Sequence, residues 1–261
     1  PDLALQYTTS EGLPELREWL ADWTRERDGV SCTPDEIVIT HGSAQGMELA
    51  AKILIEPGDV GFVGLPTYFG GSGALQTFGA ELVGVRLDEQ GMDPALLEQA
   101  ILDARRAGKR PKVVYVIPDF QNPSGATLPL ERRRRLVELA CEHDLAIVED
   151  NPYRDLRYSG EPVPPVKAFD RDGRVIYLRS FSKIFCPGLR LAYTVGPADA
   201  VRRMVVARQF EDCCATAFGQ YVLHAFCRRG LLDRQIEKNC AHYRAKRDQL
   251  LDAMDRHFPS G

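Results

Sequence analysis

The sequence predicts an α/β protein, a three-layer α/β/α sandwich built around a mostly parallel mixed sheet. Short apolar runs of strand length alternate with longer segments in which apolar residues recur every three or four positions. The chain has 261 residues, of which 44% are hydrophobic and 27% are charged, a composition typical of globular proteins. Strands that are apolar throughout need cover on both faces, and the intervening helices can supply it.

The individual elements follow from this alternation. The first helix, Pro14–Asp28, has apolar residues spaced by three and four, a proline in its first turn and Gly29 as a stop signal. Strands are predicted at residues 36–40, 60–63, 81–85, 112–117, 145–149, 175–178 and 191–195. Further helices are predicted at residues 44–55, 68–78, 94–107 and 129–142, and in a helical C-terminal third that begins near residue 198 and includes a long charged helix at 231–254.

Charge and composition argue against several classes of partner. The 33 basic and 37 acidic residues give a net charge of −4, and the basic run 132–135 lies on a helix as a solvated face, so no nucleic-acid partner is expected. No apolar run approaches the ~18 residues that a membrane span needs, and the first residues lack the basic start of a signal peptide, so no membrane partner is expected. Seven cysteines without a CxxC pair indicate reduced thiols and a cytoplasmic location. The five histidines form no HExxH motif, and no metal site is predicted.

Polar residues follow the predicted strands where ligands of open α/β sheets bind, at the carboxyl ends. The turn from His41 into the next helix is built from small residues and offers backbone N–H groups to an anion. The amide Asn122 follows the strand at 112–117, and the carboxylate Asp150 follows the strand at 145–149. Lys183 and Arg190 both follow the strand at 175–178. We expect these groups to meet at a single sheet edge.

Pyridoxal phosphate is a cofactor that needs this set of groups. It requires a lysine amine for a Schiff base, a carboxylate that keeps its pyridine nitrogen protonated, donors near the ring oxygen and an anion site for the phosphate. The protonated ring then accepts electrons when an amino acid loses its α-proton, and the released lysine amine can carry that proton.

Five segments make a resemblance to a known family specific. The chain resembles the fold-type I pyridoxal-phosphate enzymes of the class I/II aminotransferases, nearest the branch of 2-aminoadipate and kynurenine aminotransferases. The resemblance runs from residue 5 to about residue 254. In order, the matching segments are residues 12–17 (GLPELR), 66–68 (PTY), 122–125 (NPSG), 150–153 (DNPY) and 180–183 (SFSK).

The resemblance implies a role for each matching residue. Lys183 forms the Schiff base and acts as the acid and base, and Asp150 pairs with the pyridine nitrogen. The remaining implied cofactor contacts are Asn122 and Tyr153 at the ring oxygen, Tyr68 on the ring face, and Ser43, the backbone N–H of Ala44, Ser180 and Arg190 at the phosphate. Tyr7 reaches the phosphate of a neighbouring subunit, which implies a homodimer with shared sites. Ala44 stands where this branch often has Gln, so only a backbone contact is expected there.

Domain extent and reaction type remain expectations at this point. Residues 1–261 are expected to form the pyridoxal-phosphate-binding large domain, with an N-terminal segment and the C-terminal small domain, which normally carries the arginine for the substrate carboxylate, not included. The leading function is transfer of an α-amino group to a 2-oxo acid. The alternatives are another reaction of the same cofactor, such as that of a racemase, lyase or oxidase, and the aminotransferase-like sensor domain of a transcriptional regulator. Aromatic, branched-chain and dicarboxylic substrates all stay open.

Overall fold

The computed structural model describes residues 2–259, and these contain an eight-stranded mixed sheet. The strands are β1 (Ile37–His41), β2 (Asp59–Leu65), β3 (Glu81–Asp88), β4 (Gly91–Met92), β5 (Arg110–Val116), β6 (Ala146–Asp150), β7 (Val175–Ser180) and β8 (Leu191–Val195). Their order across the sheet is β1-β8-β7-β6-β5-β2-β3-β4. The central strands pair in parallel, whereas β8 is antiparallel to both of its neighbours and β4 is antiparallel to β3.

Helices cover both faces of this sheet. They are α1 (Pro14–Asp28), α2 (Gly42–Leu54), α3 (Phe69–Thr77), α4 (Pro94–Arg106), α5 (Leu130–Glu142), α6 (Ala198–Gln209), α7 (Ala217–Arg228) and α8 (Leu231–His257). Successive strand residues point to opposite faces. In β6, Val148 packs in the core with α2, α3 and α6, while Ile147 packs in the opposite core with α4 and α5. A third cluster packs α1, α7 and α8 against β1, β8 and β7, on the same face of the sheet as α4 and α5.

The predicted fold class is confirmed, and the element bounds differ only locally. The helix Pro14–Asp28 and the strand Leu191–Val195 have the predicted ends. Helix α2 begins at Gly42, two residues before the predicted start, and β6 includes Asp150 as its last residue. The two-residue strand β4 was not predicted, because two residues are too few to show a period.

The topology gathers the polar segments at one edge. Strands β1, β5, β6 and β7 all end there, and the antiparallel β8 begins there, so Arg190, just before β8, joins the groups that follow the other strands. Of the helices within residues 2–259, none combines the length and the apolar character that crossing a bilayer demands.

Candidate active site

A cavity of about 360 Å³ opens at this edge of the sheet. Nine of the ten residues singled out in the sequence line it. They are Ser43, Ala44, Tyr68, Asn122, Asp150, Tyr153, Ser180, Lys183 and Arg190. Although up to 147 positions separate Ser43 from Arg190 in the chain, the sheet brings them to one cavity.

Asp150 presents a buried carboxylate to this cavity. It ends β6 on the same face as Val148, and it is 5% exposed. Its Oδ2 accepts a hydrogen bond from the Tyr115 hydroxyl at 3.1 Å, but its Oδ1 is buried without a partner among the described residues. Burial raises the pKa of Asp150 to about 6, against the lowering effect of the Tyr115 hydrogen bond. A buried carboxylate with a free oxygen is a binding site for a cationic or N–H group.

The start of α2 forms an anion site at one end of the cavity. Ser43 and Ala44 lie in the first turn of this 13-residue helix, where backbone N–H groups have no intrahelical acceptor. Gly42 has a φ of +74°, and a Cβ at this position would clash with the guanidinium group of Arg190. The glycine therefore lets the arginine close over the helix end, and both groups attract negative charge.

The loop between β7 and β8 supplies the amine. Ser180 ends β7 and is buried, and its Oγ accepts the backbone N–H of Ser182 at 3.2 Å. Lys183 is exposed and lines the cavity. The backbone carbonyl of Lys183 accepts a hydrogen bond from Asn239 of α8 at 3.2 Å, so the long helix helps to fix this loop.

Aromatic and amide groups line the remaining wall. Burial raises the pKa of Tyr153, while Asn122 beside it acts in the opposite direction. The turn that carries Asn122 is held by Gln121, whose Nε2 donates to the Pro66 carbonyl at 2.9 Å, just before Tyr68. Two loops that each contribute a wall residue are thus tied together.

A fully buried ion pair between Asp119 and Arg133 supports the turn of Asn122 and the segment that follows β6. The expectation of a solvated face at residues 132–135 is therefore wrong for Arg133, because its guanidinium pairs with a buried carboxylate. The Asp119 carboxylate accepts hydrogen bonds from Arg133 Nη2 at 2.9 Å and from Asn151 Nδ2 at 3.1 Å. Asp119 precedes the turn of Asn122, and Asn151 follows Asp150 directly. Burial alone would raise the pKa of Asp119, but Arg133, Arg154 and the Asn151 hydrogen bond outweigh it, so this pKa lies below its usual range.

Tyr7 lies apart from this cavity. It is 86% exposed and lines a separate groove with His41 and Asp212. Within residues 2–259 of a single chain, the structure therefore does not bring Tyr7 to the other nine residues.

Tyr115, the hydrogen-bond partner of Asp150, could not be singled out from the sequence. Tyr115 lies in an apolar strand, where a tyrosine looks like ordinary core, and its pKa is raised well above 10 mainly by burial and then by the Asp150 charge. Gly71 of α3 lets Tyr115 approach, because a Cβ there would overlap the tyrosine ring. His41, for which the sequence indicated no role of its own, uses both ring nitrogens in hydrogen bonds.

These residues fit pyridoxal phosphate on their own chemistry. The unpaired Asp150 Oδ1 suits a protonated ring nitrogen, and the N-terminus of α2 with the Arg190 guanidinium beside it suits a phosphate. Lys183, exposed in the same cavity, suits an aldehyde.

The fold and the site together define a fold-type I, aminotransferase-like α/β domain, and comparison with known proteins agrees. The family model for aminotransferase class I and II matches residues 3–260, and the chain belongs to this family. It is 43% identical to aromatic-amino-acid aminotransferase 1 of Thermococcus litoralis, over 99% of this chain and 62% of that protein. It is 34% identical to 2-aminoadipate transaminase of Thermus thermophilus, over 99% of this chain and 63% of that protein.

A solved structure gives the same result. The chain matches the crystal structure of Pyrococcus horikoshii kynurenine aminotransferase with a TM-score of 0.95 and 40% identity, covering 100% of this chain and 64% of that one. The resemblance to the aminotransferases of this branch is thus confirmed. The chain spans slightly under two thirds of the length of each of these relatives.

Proposed function

We propose that this protein is a pyridoxal-phosphate-dependent amino-acid aminotransferase. The observation that carries the proposal is the buried, unpaired Oδ1 of Asp150 in the same cavity as Lys183 and the anion site of α2. The family of the chain supports it, because proteins named as aminotransferases of aromatic amino acids, 2-aminoadipate and kynurenine share this domain.

Asp150 acts on the ring nitrogen. When bound, pyridoxal phosphate supplies a protonated pyridine ring that accepts the electrons freed by loss of an amino acid's α-proton. The Asp150 carboxylate would favour a protonated ring nitrogen, because a cation beside it offsets the cost of its own buried charge. Tyr115 holds Oδ2 and leaves Oδ1 free for this contact.

Lys183 would hold the cofactor through Nζ. Its amine, when free, would take the α-proton of the amino acid as a base and give that proton up again as an acid. Lys183 is exposed in the cavity, so its side chain has room to move.

The other residues bind and orient the cofactor. Ser43, the Ala44 N–H, Ser180 and Arg190 line the cavity at the start of α2 and would hold the phosphate. Asn122 and Tyr153 would donate hydrogen bonds to the ring oxygen, and Tyr68 would stack on the ring. These three residues would orient the cofactor for Lys183.

The partners follow from the same proposal. An α-amino acid and a 2-oxo acid are the substrates, and the protein works in the cytoplasm as a homodimer in which Tyr7 reaches the phosphate of the neighbouring subunit. The high exposure of Tyr7 in the single chain supports this, because an interface would cover it. The proposal takes residues 1–261 as the cofactor-binding large domain, of which residues 1, 260 and 261 lie outside the described residues.

Borohydride labelling tests the covalent contact. The protein incubated with pyridoxal phosphate and reduced should carry the cofactor's mass on the peptide that contains Lys183, and Lys183→Ala should carry none. Lys112→Ala, at the opposite edge of the sheet, should label like the wild type. A persisting label in Lys183→Ala would refute the assignment.

The half-reaction distinguishes transamination from the alternatives. An aminotransferase must convert the cofactor to its amine form with an amino donor, and a 2-oxo acid such as 2-oxoglutarate must restore the aldehyde form. Spectra of the full-length protein with a panel of amino donors measure this. A racemase, lyase, oxidase or ligand sensor would bind the amino acid without this complete exchange.

A further inference from the structure

The two ends of the turn at residues 41–45, which we call the phosphate-binding turn, contact the same carboxylate. Asp212 Oδ2 lies 2.8 Å from His41 Nδ1 and accepts a hydrogen bond from Gln45 Nε2 at 2.7 Å. Gln45 Oε1 in turn accepts the backbone N–H of His41 at 2.8 Å. Ser43 and Ala44, the residues proposed to bind phosphate, lie between these two anchors.

The hydrogen bonds fix the tautomer of His41. The backbone N–H of Thr216 donates to His41 Nε2 at 3.1 Å, so this nitrogen carries the lone pair. Nδ1 must then carry the proton and donate it to Asp212. His41 therefore connects the end of β1 to the start of α7, where Thr216 caps the helix by accepting the Gly219 N–H.

Asp212 is itself held by a fully buried arginine. Arg208 Nε donates to Asp212 Oδ1 at 2.8 Å and its Nη2 donates to Oδ2 at 3.2 Å. Arg208 also donates to the backbone carbonyls of Ser10 and Ile39, so it is fixed against β1. Burial alone would raise the pKa of Asp212, but these donors outweigh it and the pKa lies below its usual range.

We propose that Asp212 is a positioning residue that presets the phosphate-binding turn, acting through His41 and Gln45. The inference rests on the proposed function, since it assumes that Ser43 and the Ala44 N–H bind the cofactor's phosphate. Backbone N–H groups bind an anion tightly only when their directions are fixed beforehand, because ordering them on binding costs affinity. Gly42, with its positive φ, gives the turn freedom that the two Asp212 contacts remove.

A comparison of two ligands tests this role. Dissociation constants of pyridoxal 5′-phosphate and of pyridoxal, which lacks the phosphate, are measured by fluorescence titration of the wild type and of Asp212→Asn. Loss of the charged contacts should weaken binding of pyridoxal 5′-phosphate about tenfold. Binding of pyridoxal should stay within about twofold, because pyridoxal does not use the turn. A loss of general stability would weaken both ligands alike, and that outcome would overturn the role.

A neighbouring ion pair provides the matched control. Glu211 Oε1 accepts a hydrogen bond from Lys52 Nζ at 2.7 Å and joins α2 to the segment just after α6. Among the residues that the structure describes, its side chain makes no hydrogen bond to the phosphate-binding turn. Glu211→Gln should leave both dissociation constants unchanged. Should Asp212→Asn not fold, Gln45→Ala removes one anchor while Arg208 and Asp212 stay paired, and a smaller loss confined to pyridoxal 5′-phosphate is expected.

The outcomes separate this role from the proposed function. A wild-type protein that binds pyridoxal 5′-phosphate no better than pyridoxal would overturn both. A wild type that prefers the phosphate, with unchanged binding in the Asp212 and Gln45 variants, would overturn the positioning role alone.

Discussion

At the scale of single residues, the buried Asp150 carboxylate lowers the stability of the cofactor-free fold. It is buried, it has one hydrogen-bond partner, and its pKa is raised by burial to about 6 from a usual value of 3.8. Such a residue destabilises the protein on its own and becomes favourable when a cation binds it. Ionisable side chains with strongly shifted pKa values are often found in active sites.

Asp150→Asn should remove a pH dependence of stability. Between pH 3.8 and about 6 the folded protein holds the Asp150 proton while the unfolded chain releases it. The free energy of unfolding of the cofactor-free wild type should therefore fall as the pH rises through this window, by about 3 kcal/mol from this residue. Urea unfolding at pH 4 and pH 7.5 measures the difference between the two proteins.

The design isolates one carboxylate. Glu149, whose pKa burial raises to about 7, contributes equally to wild type and variant and cancels in the difference. The exposed Asp252→Asn should leave the profile unchanged. Parallel pH profiles of the wild type and Asp150→Asn would contradict the prediction.

At this scale the sequence predicted some residues of the cavity but not the contacts that hold them. Asp150 and Lys183 could be proposed from the sequence because each follows an apolar strand and sits in a short motif. Tyr115 could not, since an apolar strand gives no sign that one hydroxyl faces a carboxylate. The contact between His41 and Asp212 joins residues 171 positions apart, and local pattern carries no information about it.

At the scale of elements, the start of α2 depends on a glycine. Gly42→Ala should cost about 1–2 kcal/mol of stability through its positive φ and should also displace Arg190. We therefore expect the dissociation constant of pyridoxal phosphate to rise about tenfold or more, measured by titration.

Gly108→Ala is the control for this variant. Gly108 has a φ of +72°, close to that of Gly42, but a Cβ there would meet nothing within 4 Å. It should show the stability loss without the loss of cofactor affinity. Equal cofactor affinities in the two variants would count against a specific contact between Arg190 and the turn.

The direction of one strand marks the limit of prediction for elements. Periodicity located β8 correctly, but the sequence does not state that β8 runs antiparallel between β1 and β7. Periodicity gives the position of a strand along the chain but not its direction within the sheet.

At the scale of the whole molecule, the separation of Tyr7 from the cavity bears on assembly. If each active site takes Lys183 from one subunit and Tyr7 from the other, an equal mixture of inactive Lys183→Ala and Tyr7→Ala subunits should regain about one quarter of the wild-type activity. Half of the dimers would be mixed, and each would have one intact site.

One outcome of the mixing experiment would contradict a site shared between subunits. Subunits unfolded together and refolded are assayed with an amino donor and 2-oxoglutarate, and separately refolded variants serve as the control. No recovery in a mixture that forms dimers by light scattering would show that Tyr7 acts within its own chain or not at all.

All proposed site residues in the cavity lie at one edge of the sheet, so the opposite edge can be altered without touching them. The tight connection at residues 107–109 enters β5 from that opposite edge, and the seven residues of this strand place it about 23 Å from the cavity. A fluorescent reporter or an affinity tag inserted beside Gly108 would stay remote from ligands while remaining coupled to a central strand. The protein could thereby be immobilised, or its unfolding followed optically, with the cavity left unchanged.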